Sequence, residues 1–258
     1  MSIARWPRAW VTGAGRGIGA ALAEALARDG VIVYASARNR EELDALAERC
    51  STLAGSIVPM PLDITQKSDI EAALNGFDKE GWPELVVLNA GTYQPFSAQA
   101  FDEESFQRQI DVNVNGTMRC LAPVLQRFTS QDHGHIAVMA SVAGYRGLPT
   151  ASAYGASKAA LINMCESLRL DLRGTGVKLQ LINPGFVRTP LTDKNTHDMP
   201  ALLEPEDAAD RIVRGLSGDG FEITFPKRFT YWLKLFRILP YRWYFALVGR
   251  ATKSGRSS

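Results

Sequence analysis

The sequence predicts an α/β fold, a doubly wound parallel sheet of about seven strands with helices on both faces. Short runs rich in Val, Ile and Leu recur along the chain, and helical patterns separate them. Such alternation favours a parallel sheet that helices cover on both sides. A glycine-rich turn, Gly13 to Gly19, follows the first run and leads directly into a helical pattern. This order of strand, turn and helix predicts that the fold is Rossmann-like.

The predicted strands follow one another at intervals that leave room for helical connections. They are Ala9–Thr12, Ile32–Ala35, Ile57–Leu62, Leu85–Asn89, His135–Met139, Lys178–Ile182 and Phe221–Phe225. The first helix is predicted after Gly19, since apolar residues recur on one helical face from Ala21 to Leu26. Gly30 ends it with a plausible C-cap.

Length and composition fit a single domain with a distinct C-terminal extension. Residues 1–226 suffice to bury a large core, and residues 227–258 form an aromatic and basic extension. The net charge of +2 argues against a nucleic-acid-binding surface. Cys50, Cys120 and Cys165 are isolated and lack the spacing of a disulfide or a metal site. No signal peptide is expected, so we expect a cytoplasmic protein. We expect no bound metal, because the sequence lacks the residue spacing of a metal site.

The glycine-rich turn is suited to binding a pyrophosphate. Gly13, Gly17 and Gly19 let the backbone turn tightly and come close to a ligand, while free N–H groups of the helix start face its charge. The alternative is a tight turn without a ligand. The strand before the turn and the helix after it favour the binding site.

Ser141, Tyr154 and Lys158 supply a hydroxyl, a phenol and an ammonium at spacings suited to proton transfer. Tyr154 and Lys158 are four residues apart, so they share one face if the segment is helical. A free tyrosine has a pKa of about 10, and a neighbouring positive charge favours its ionised form. The three residues indicate the chemistry of a carbonyl reductase, although such a pair also arises by chance on a helix.

Together these motifs resemble the short-chain dehydrogenase/reductase family, in its NADP(H)-preferring type. The resemblance covers residue 9 to about residue 215, and the motifs stand in the family's order. They are Thr12 to Gly19, Asn89-Ala90-Gly91, Asn113, Ser141, Tyr154 with Lys158, and Pro184-Gly185. Leu88 departs from the pattern, because many members carry a second asparagine there, but the chemistry does not pass through that position.

The resemblance implies a role for each motif. Tyr154 is expected to be the general acid and base, Ser141 its partner on the substrate oxygen, and Lys158 the group that lowers the Tyr154 pKa and holds the nicotinamide ribose. Asn113 is expected to interrupt a helix and hold a water that links Lys158 to solvent. The cofactor-binding residues that the resemblance implies are Gly13, Gly15, Arg16, Gly17, Ile18, Gly19, Arg38, Asp63, Asn89, Ala90, Gly91, Tyr154, Lys158, Pro184, Gly185, Val187 and Thr189.

The end of the second predicted strand favours NADP(H) over NAD(H). Ala37 stands where an NAD enzyme places a carboxylate, and Arg38 follows it with a guanidinium that can grip a 2′-phosphate. Arg16 offers a second positive charge. Asp63 is expected to accept from the adenine amino group, or else to cap a helix that begins two or three residues later.

The C-terminal extension does not predict a transmembrane helix, because Lys234, Arg237 and Pro240 interrupt its apolar run. The residues predicted to share one apolar helical face are Trp232, Leu235, Phe236 and Leu239. Such a face is expected to lie at a membrane surface, or to pack against the substrate pocket or another subunit. Both interpretations stay open at this point.

Three functions are consistent with these features. The leading one is an oxidoreductase that transfers hydride between NADP(H) and an apolar alcohol or carbonyl compound, lipid-derived compounds included. The alternatives are a non-catalytic NADP(H)-binding regulatory protein and an NAD-dependent dehydrogenase. We expect a homodimer or homotetramer, since helices over residues 106–127 and 153–173 form the dimer bundle in similar proteins.

The substrate is less well defined by the sequence. Candidates for an apolar pocket are Val142, Tyr145, Leu148, Phe186 and Leu191. Arg146 and Arg188 are candidates either for binding an acidic substrate or for surface charges, and His197 for a contact in the substrate loop. His133 and His135 lack the neighbours that a zinc site needs.

Overall fold

The sheet has the predicted architecture. The computed structural model describes residues 5–194, 199 and 201–253, and within them seven strands form one parallel sheet. The strands are β1 Arg8–Thr12, β2 Ile32–Ser36, β3 Ser56–Pro59, β4 Leu85–Leu88, β5 Gly134–Met139, β6 Val177–Pro184 and β7 Glu222–Phe225. Their order across the sheet is β3-β2-β1-β4-β5-β6-β7.

Helices connect the strands and extend beyond the last one. They are α1 Gly17–Arg28, α2 Arg40–Arg49, α3 Lys67–Glu80, α4 Glu103–Ile110, α5 Thr117–Gln131, α6 Ser152–Asp171, α7 Pro205–Ser217, α8 Lys227–Ile238 and α9 Tyr241–Lys253. A π-helical turn, Asp111–Gly116, joins α4 to α5.

Two buried clusters form the core, one on each face of the sheet. Alternate residues of a strand point to opposite faces, so Ala9 and Val11 join one cluster and Trp10 joins the other. The first cluster includes residues of α1, α2 and α7, and the second includes residues of α3, α5 and α6. The sheet is therefore covered on both faces, as the apolar strands predict.

The strand bounds agree with the prediction to within one residue except at two carboxyl ends. The third strand ends at Pro59 instead of Leu62. Met60 and Leu62 still donate their N–H groups to the carbonyls of Ala35 and Ala37, at 2.8 and 2.9 Å, so the chain runs on beside β2 beyond the end of the regular strand. The sixth continues beyond Ile182 to Pro184, because Asn183 and Pro184 pair with β7.

The order of the strands determines where a ligand can bind. β2 and β4 lie on opposite sides of β1, so the chain reverses its direction of winding at this point of the sheet. A crevice opens at the carboxyl ends of strands at such a point. Thr12, Asn89, Ser141 and Gly185 lie at or just beyond the carboxyl ends of β1, β4, β5 and β6.

The C-terminal extension folds as α8 and α9, and each helix packs one side on the domain. Thr230 of α8 is fully buried, and Lys234 forms an ion pair with Glu222 of β7. Tyr244 of α9 is buried and donates a hydrogen bond to the carbonyl of Gly147. Among the described residues, no helix has both the length and the apolar character required to cross a membrane.

Candidate active site

The glycine-rich turn has a backbone conformation and a tight packing that depend on its glycines. Gly13 and Gly17 have φ angles of +68° and +58°, which favour glycine. A Cβ on Gly19 would lie 2.1 Å from the carbonyl oxygen of Gly13, so α1 packs directly on the turn. No side chain caps the start of α1, and its first turn has no acidic residue. The N–H groups of this helix start therefore fit an anionic group.

Arg16 and Arg38 extend from neighbouring parts of the backbone. A Cβ on Gly15 would lie 3.2 Å from Cβ of Ala37, so the residues just before the two arginines are in contact. Both arginines are exposed, and among the described residues neither guanidinium forms an ion pair. The two charges are therefore free to bind an anion such as a 2′-phosphate.

Glu42 is a residue of this region that the sequence argument missed. Its Oε2 would lie 2.4 Å from a Cβ on Gly15, so the carboxylate covers the glycine turn. The signal was present, because Asn39 caps α2 and Glu41 and Glu42 fill its first turn. Near the turn, one carboxylate therefore accompanies the two guanidinium groups.

Asp63 has a local role in the structure. Its Oδ1 accepts hydrogen bonds from the backbone N–H of Thr65 at 2.9 Å and from the Thr65 hydroxyl at 2.8 Å. The helix begins at Lys67, with Gln66 at its N-cap, so the expected start at Thr65 or Gln66 was too early. Leu62 donates to the carbonyl of Ala37 at 2.9 Å, which holds Asp63 beside the end of β2.

Asn89 stabilises the glycine turn from the neighbouring strand. Its amide nitrogen donates to the carbonyls of Thr12 at 2.9 Å and Gly13 at 3.2 Å. The Thr12 hydroxyl accepts in return from the N–H groups of Asn89 and Ala90. These bonds close the crevice between β1 and β4 at its base, so the contacts of Asn89 in this structure are with the turn itself.

α6 carries Tyr154 and Lys158 on one face, as their spacing predicts. Lys158 is 3% exposed, and its Nζ lies 5.6 Å from the centre of the Tyr154 ring. The same Nζ donates to the carbonyl oxygen of Met139, at the end of β5, at 2.8 Å. A Cβ on Gly144 would lie 2.7 Å from the carbonyl carbon of Lys158, so the loop after Ser141 packs tightly on α6.

The pKa values of the site differ from the prediction. Burial raises the pKa of the Tyr154 phenol from 10.0 to about 12, while the Ser141 hydroxyl lowers this pKa and Tyr93 raises it. Burial also lowers the pKa of Lys158 from 10.5 to about 8. The expected lowering of the Tyr154 pKa by Lys158 is not found, because the ammonium binds the Met139 carbonyl and the phenol is withdrawn from water.

Tyr93 is a second residue that the sequence argument missed. Its ring lies 4.9 Å from the ring of Tyr154, centre to centre, at an angle of 59°. Tyr93 is 8% exposed and follows the Asn89-Ala90-Gly91 motif by two residues. Its position just beyond the carboxyl end of a predicted strand was the available signal. Its ring forms an apolar wall beside the phenol.

Asn113 lies in the π-helical turn, which confirms the expected break in helix regularity. Its Oδ1 accepts from the N–H of Thr92 at 2.7 Å, and its Nδ2 donates to the Thr92 carbonyl and to Ser157 Oγ, both at 2.9 Å. Its backbone carbonyl accepts from the Thr117 hydroxyl at 2.8 Å. Asn113 therefore clamps the segment after Gly91 to α6, next to Lys158.

The loop after β6 reaches the glycine turn. A Cβ on Gly17 would lie 3.0 Å from Cγ2 of Thr189, so Thr189 contacts the start of α1. The loop is held from two sides, because Gly185 donates to the carbonyl of Phe225 at 2.8 Å and Arg188 donates to that of Leu203 at 2.8 Å. Val187 is buried beneath it. The loop expected to line the nicotinamide is therefore in contact with the glycine turn expected to bind the pyrophosphate.

Several substrate candidates are engaged elsewhere. The Tyr145 phenol donates to Glu222 instead of facing a pocket, and Phe186 packs against Phe229 with ring centres 5.8 Å apart. Arg146 donates to backbone carbonyls at the end of α8, including that of Leu239 at 2.7 Å. Arg188 pairs with Glu204 at 2.8 Å. His197 lies outside the described residues.

The histidines before and in β5 do not form a metal site. His135 is buried, and its Nε2 lies 2.8 Å from Gln180 Oε1. Within the part of the chain that the structure describes, no cluster of three His, Cys, Asp or Glu side chains is placed to bind a metal ion.

Comparisons with known proteins agree with this geometry. Residues 7–200 match the family model described as short chain dehydrogenase. An uncharacterized oxidoreductase of Myxococcus xanthus is 38% identical over 233 residues, which cover 90% of this chain and 92% of the relative. One from Staphylococcus epidermidis is 35% identical, covering 80% and 89%.

Solved structures of similar fold include complexes with either cofactor. A short-chain dehydrogenase from Sphingobium yanoikuyae in complex with NADPH has a TM-score of 0.79 at 27% identity, covering 98% of this chain and 96% of that one. A short chain dehydrogenase/reductase from Burkholderia phymatum in complex with NAD has a TM-score of 0.82 at 22% identity, covering 91% and 94%. The second comparison bears on the fold alone.

Proposed function

Since this chain belongs to the short-chain dehydrogenase family, we propose that it transfers hydride between NADP(H) and an apolar alcohol or carbonyl compound. The family and the relatives named as oxidoreductases make it an oxidoreductase. The main support for this hydride-transfer proposal is that Tyr154, Ser141 and Lys158 lie together. They are at the carboxyl ends of the strands, where the glycine turn also lies. The preference for NADP(H), the substrate class and the role of each residue are part of the proposal.

The cofactor would extend from the glycine turn to Tyr154. The uncapped start of α1 would hold the pyrophosphate, Arg16 and Arg38 the 2′-phosphate, and Asp63 the adenine. The loop from Pro184 to Thr189 would line the nicotinamide, and Lys158 would hold its ribose. The remaining residues proposed to line the site are Gly13, Gly15, Gly17, Ile18, Gly19, Asn89, Ala90 and Gly91.

The bound nicotinamide would supply or accept the hydride at the substrate carbon. In reduction, Tyr154 donates its phenolic proton to the carbonyl oxygen, and Ser141 donates a hydrogen bond to the same atom. The phenolate that remains regains a proton from solvent. In oxidation, Tyr154 first releases its proton to solvent, and the phenolate then accepts the proton of the alcohol. We retain the expected water at the Asn113 carbonyl as part of this proposal.

Support for NADP(H) comes from charge. Arg16 and Arg38 bring two exposed guanidinium groups to the region of the glycine turn, and Ala37 supplies no carboxylate where an NAD enzyme places one. The NADPH complex of the Sphingobium relative also favours this choice.

Support for an apolar substrate comes from the surroundings of the phenol. The Tyr93 ring packs on Tyr154, and Val142 is buried beside Ser141. Arg146 and Arg188, the two cations considered as anchors for an acidic substrate, are bound to carbonyls of α8 and to Glu204. An uncharged, largely apolar molecule suits such a site better than an acid does.

We further propose that the protein is cytoplasmic and forms a homodimer or homotetramer. The three cysteines are buried and free, which suits a reducing compartment. Met118 of α5 and Leu170 of α6 are 48% and 56% exposed, on the two helices expected to form the dimer bundle. Light scattering on Leu170→Arg would test this, since an interface through α6 predicts a smaller species than the wild type.

The test of the activity is NADPH consumption with a panel of apolar ketones and aldehydes, using wild type, Tyr154→Phe and Tyr34→Phe. Loss of the phenolic proton should lower kcat by about 10²–10⁴-fold while NADPH still binds. Tyr34→Phe is the control. It removes a phenol that donates a hydrogen bond to the Gly81 carbonyl, away from the site, and it should keep activity. NADPH binding without turnover on any compound would favour the regulatory alternative. Full turnover in Tyr154→Phe would remove Tyr154 from the mechanism.

A further inference from the structure

The C-terminal helices present a large apolar surface to solvent. Its members, which we call the aromatic face, are Trp232, Leu235, Ile238, Tyr241, Trp243 and Phe245. Their exposed fractions range from 46% for Leu235 to 77% for Ile238. Single exposed apolar residues are ordinary, but six large ones on two successive helices mark an interaction surface.

The opposite sides of these helices are docked on the domain, so the aromatic face belongs to an ordered surface. Lys234 binds Glu222, and Arg146 packs on the Tyr244 ring with its Cζ 4.1 Å from the ring centre. Phe236 contacts Tyr244, with ring centres 6.3 Å apart. The structure therefore corrects the predicted apolar face, since Phe236 and Leu239 are half-buried while Trp232 and Leu235 remain exposed.

Charge is distributed unevenly along the chain. Residues 227–258 contain eight Lys or Arg and no Asp or Glu, whereas residues 1–226 contain 21 Lys or Arg and 27 Asp or Glu. Arg228 and Arg242 are exposed on the same two helices as the aromatic face. The extension is thus a cationic, aromatic surface on a domain of net negative charge.

We propose that the aromatic face binds the surface of an anionic lipid bilayer. Trp and Tyr favour the boundary between lipid headgroups and acyl chains, and basic residues beside them attract anionic headgroups. The helices are too short to cross a membrane, so they lie along its surface. The negative charge of the domain is repelled by the same lipids, which orients the protein with its extension towards the membrane.

The charge pattern also decides against a symmetric contact between two copies. A twofold interface through this face would bring two cationic extensions together without any acidic partner from either one. A bilayer that carries anionic headgroups has no such conflict. The inference is independent of the proposed activity, because it rests on the extension alone.

The test is co-sedimentation of the full-length protein with phosphatidylcholine vesicles, with and without about one third phosphatidylglycerol. We expect binding to the anionic vesicles that weakens with added salt. Phe245→Ser should reduce this binding, with Phe101→Ser as the matched control, since the two side chains are 64% and 58% exposed. Arg242→Glu should weaken it by at least about fivefold, whereas Arg211→Glu on α7 should not.

Three outcomes would overturn the proposal. They are no binding of the wild type to anionic vesicles, equal binding by Phe245→Ser and wild type, and equal loss in both control variants. If Phe245→Ser instead changes the oligomeric state by light scattering without any lipid binding, the face belongs to a second copy of the chain. The variants change exposed side chains, and circular dichroism of each shows whether its fold is kept.

Discussion

The ammonium of Lys158 donates a hydrogen bond to the carbonyl oxygen of Met139 at 2.8 Å. Met139 ends β5 two residues before Ser141, so this bond connects the helix of Tyr154 to the loop that carries the Ser141 hydroxyl. The charge is buried, and one carbonyl replaces only part of its hydration. Burial of the Lys158 charge is therefore expected to lower the stability of the folded protein.

The destabilisation that comes from burying the charge of Lys158 should depend on pH. The pKa of Lys158 is about 8 in the folded protein and 10.5 ordinarily. Below the lower value both states are protonated, and the burial penalty is fully present. Between the two values the unfolded chain binds more protons, so stability rises with pH. Relative to Lys158→Met, the wild type should gain up to about 1.4 kcal/mol per pH unit in that window.

Denaturant unfolding of both proteins from about pH 7 to 9.5 measures this difference. Lys79→Met, which removes an exposed lysine of α3, is the control. A constant difference between Lys158→Met and wild type across the range would mean that Lys158 keeps its charge throughout.

Arg38→Ala should weaken NADPH binding and leave NADH binding nearly unchanged. A hydrogen bond to a charged group contributes about 1.5–3 kcal/mol, so the Kd for NADPH should rise by about 10–100-fold. Arg40→Ala is the matched control, because Arg40 is exposed two residues away and pairs with Asp44 at 3.3 Å. Fluorescence titration with each cofactor measures the effect. An equal loss for NADH would show that Arg38 has no role in the choice of cofactor.

Asn113→Ala should destabilise the protein by about 2–4 kcal/mol, because a buried side chain loses three hydrogen bonds and the part-buried Thr92 backbone loses two partners. Asn115→Ala, in the same π-helical turn, removes an exposed amide and should change stability by about 0.5 kcal/mol or less. Denaturant unfolding compares the two. Similar values for both variants would contradict the clamp that we assign to Asn113.

Lys234→Met should loosen the C-terminal helices. It leaves the carboxylate of Glu222 facing Tyr145 and Asn183 without its cation, in a largely buried position. We expect a loss of about 1–3 kcal/mol and faster cleavage of the extension by chymotrypsin. Lys227→Met changes an exposed lysine of the same helix and serves as the control. Unchanged cleavage in Lys234→Met would mean that the other contacts of α8 hold it on the domain without the Lys234–Glu222 ion pair.

Local chemistry explains which features could be read from the sequence. The strands of the sheet are short apolar runs, the glycine turn needs positive φ angles at Gly13 and Gly17, and the Tyr154–Lys158 pair follows from helical spacing. Each of these depends on residues close together in the chain. The seven-stranded parallel sheet and the family were accordingly predicted correctly.

Contacts between distant segments required the tertiary structure. Four contacts join residues from 19 to 77 positions apart: Glu42 beside Gly15, Tyr93 on the Tyr154 ring, Tyr145 bonded to Glu222, and the Lys158–Met139 bond. The pKa of Tyr154 is likewise set by burial, which exists only after packing. Packing also decides which side of the C-terminal helices faces solvent. The periodicity of a sequence defines an apolar helical face, but it does not show what covers that face.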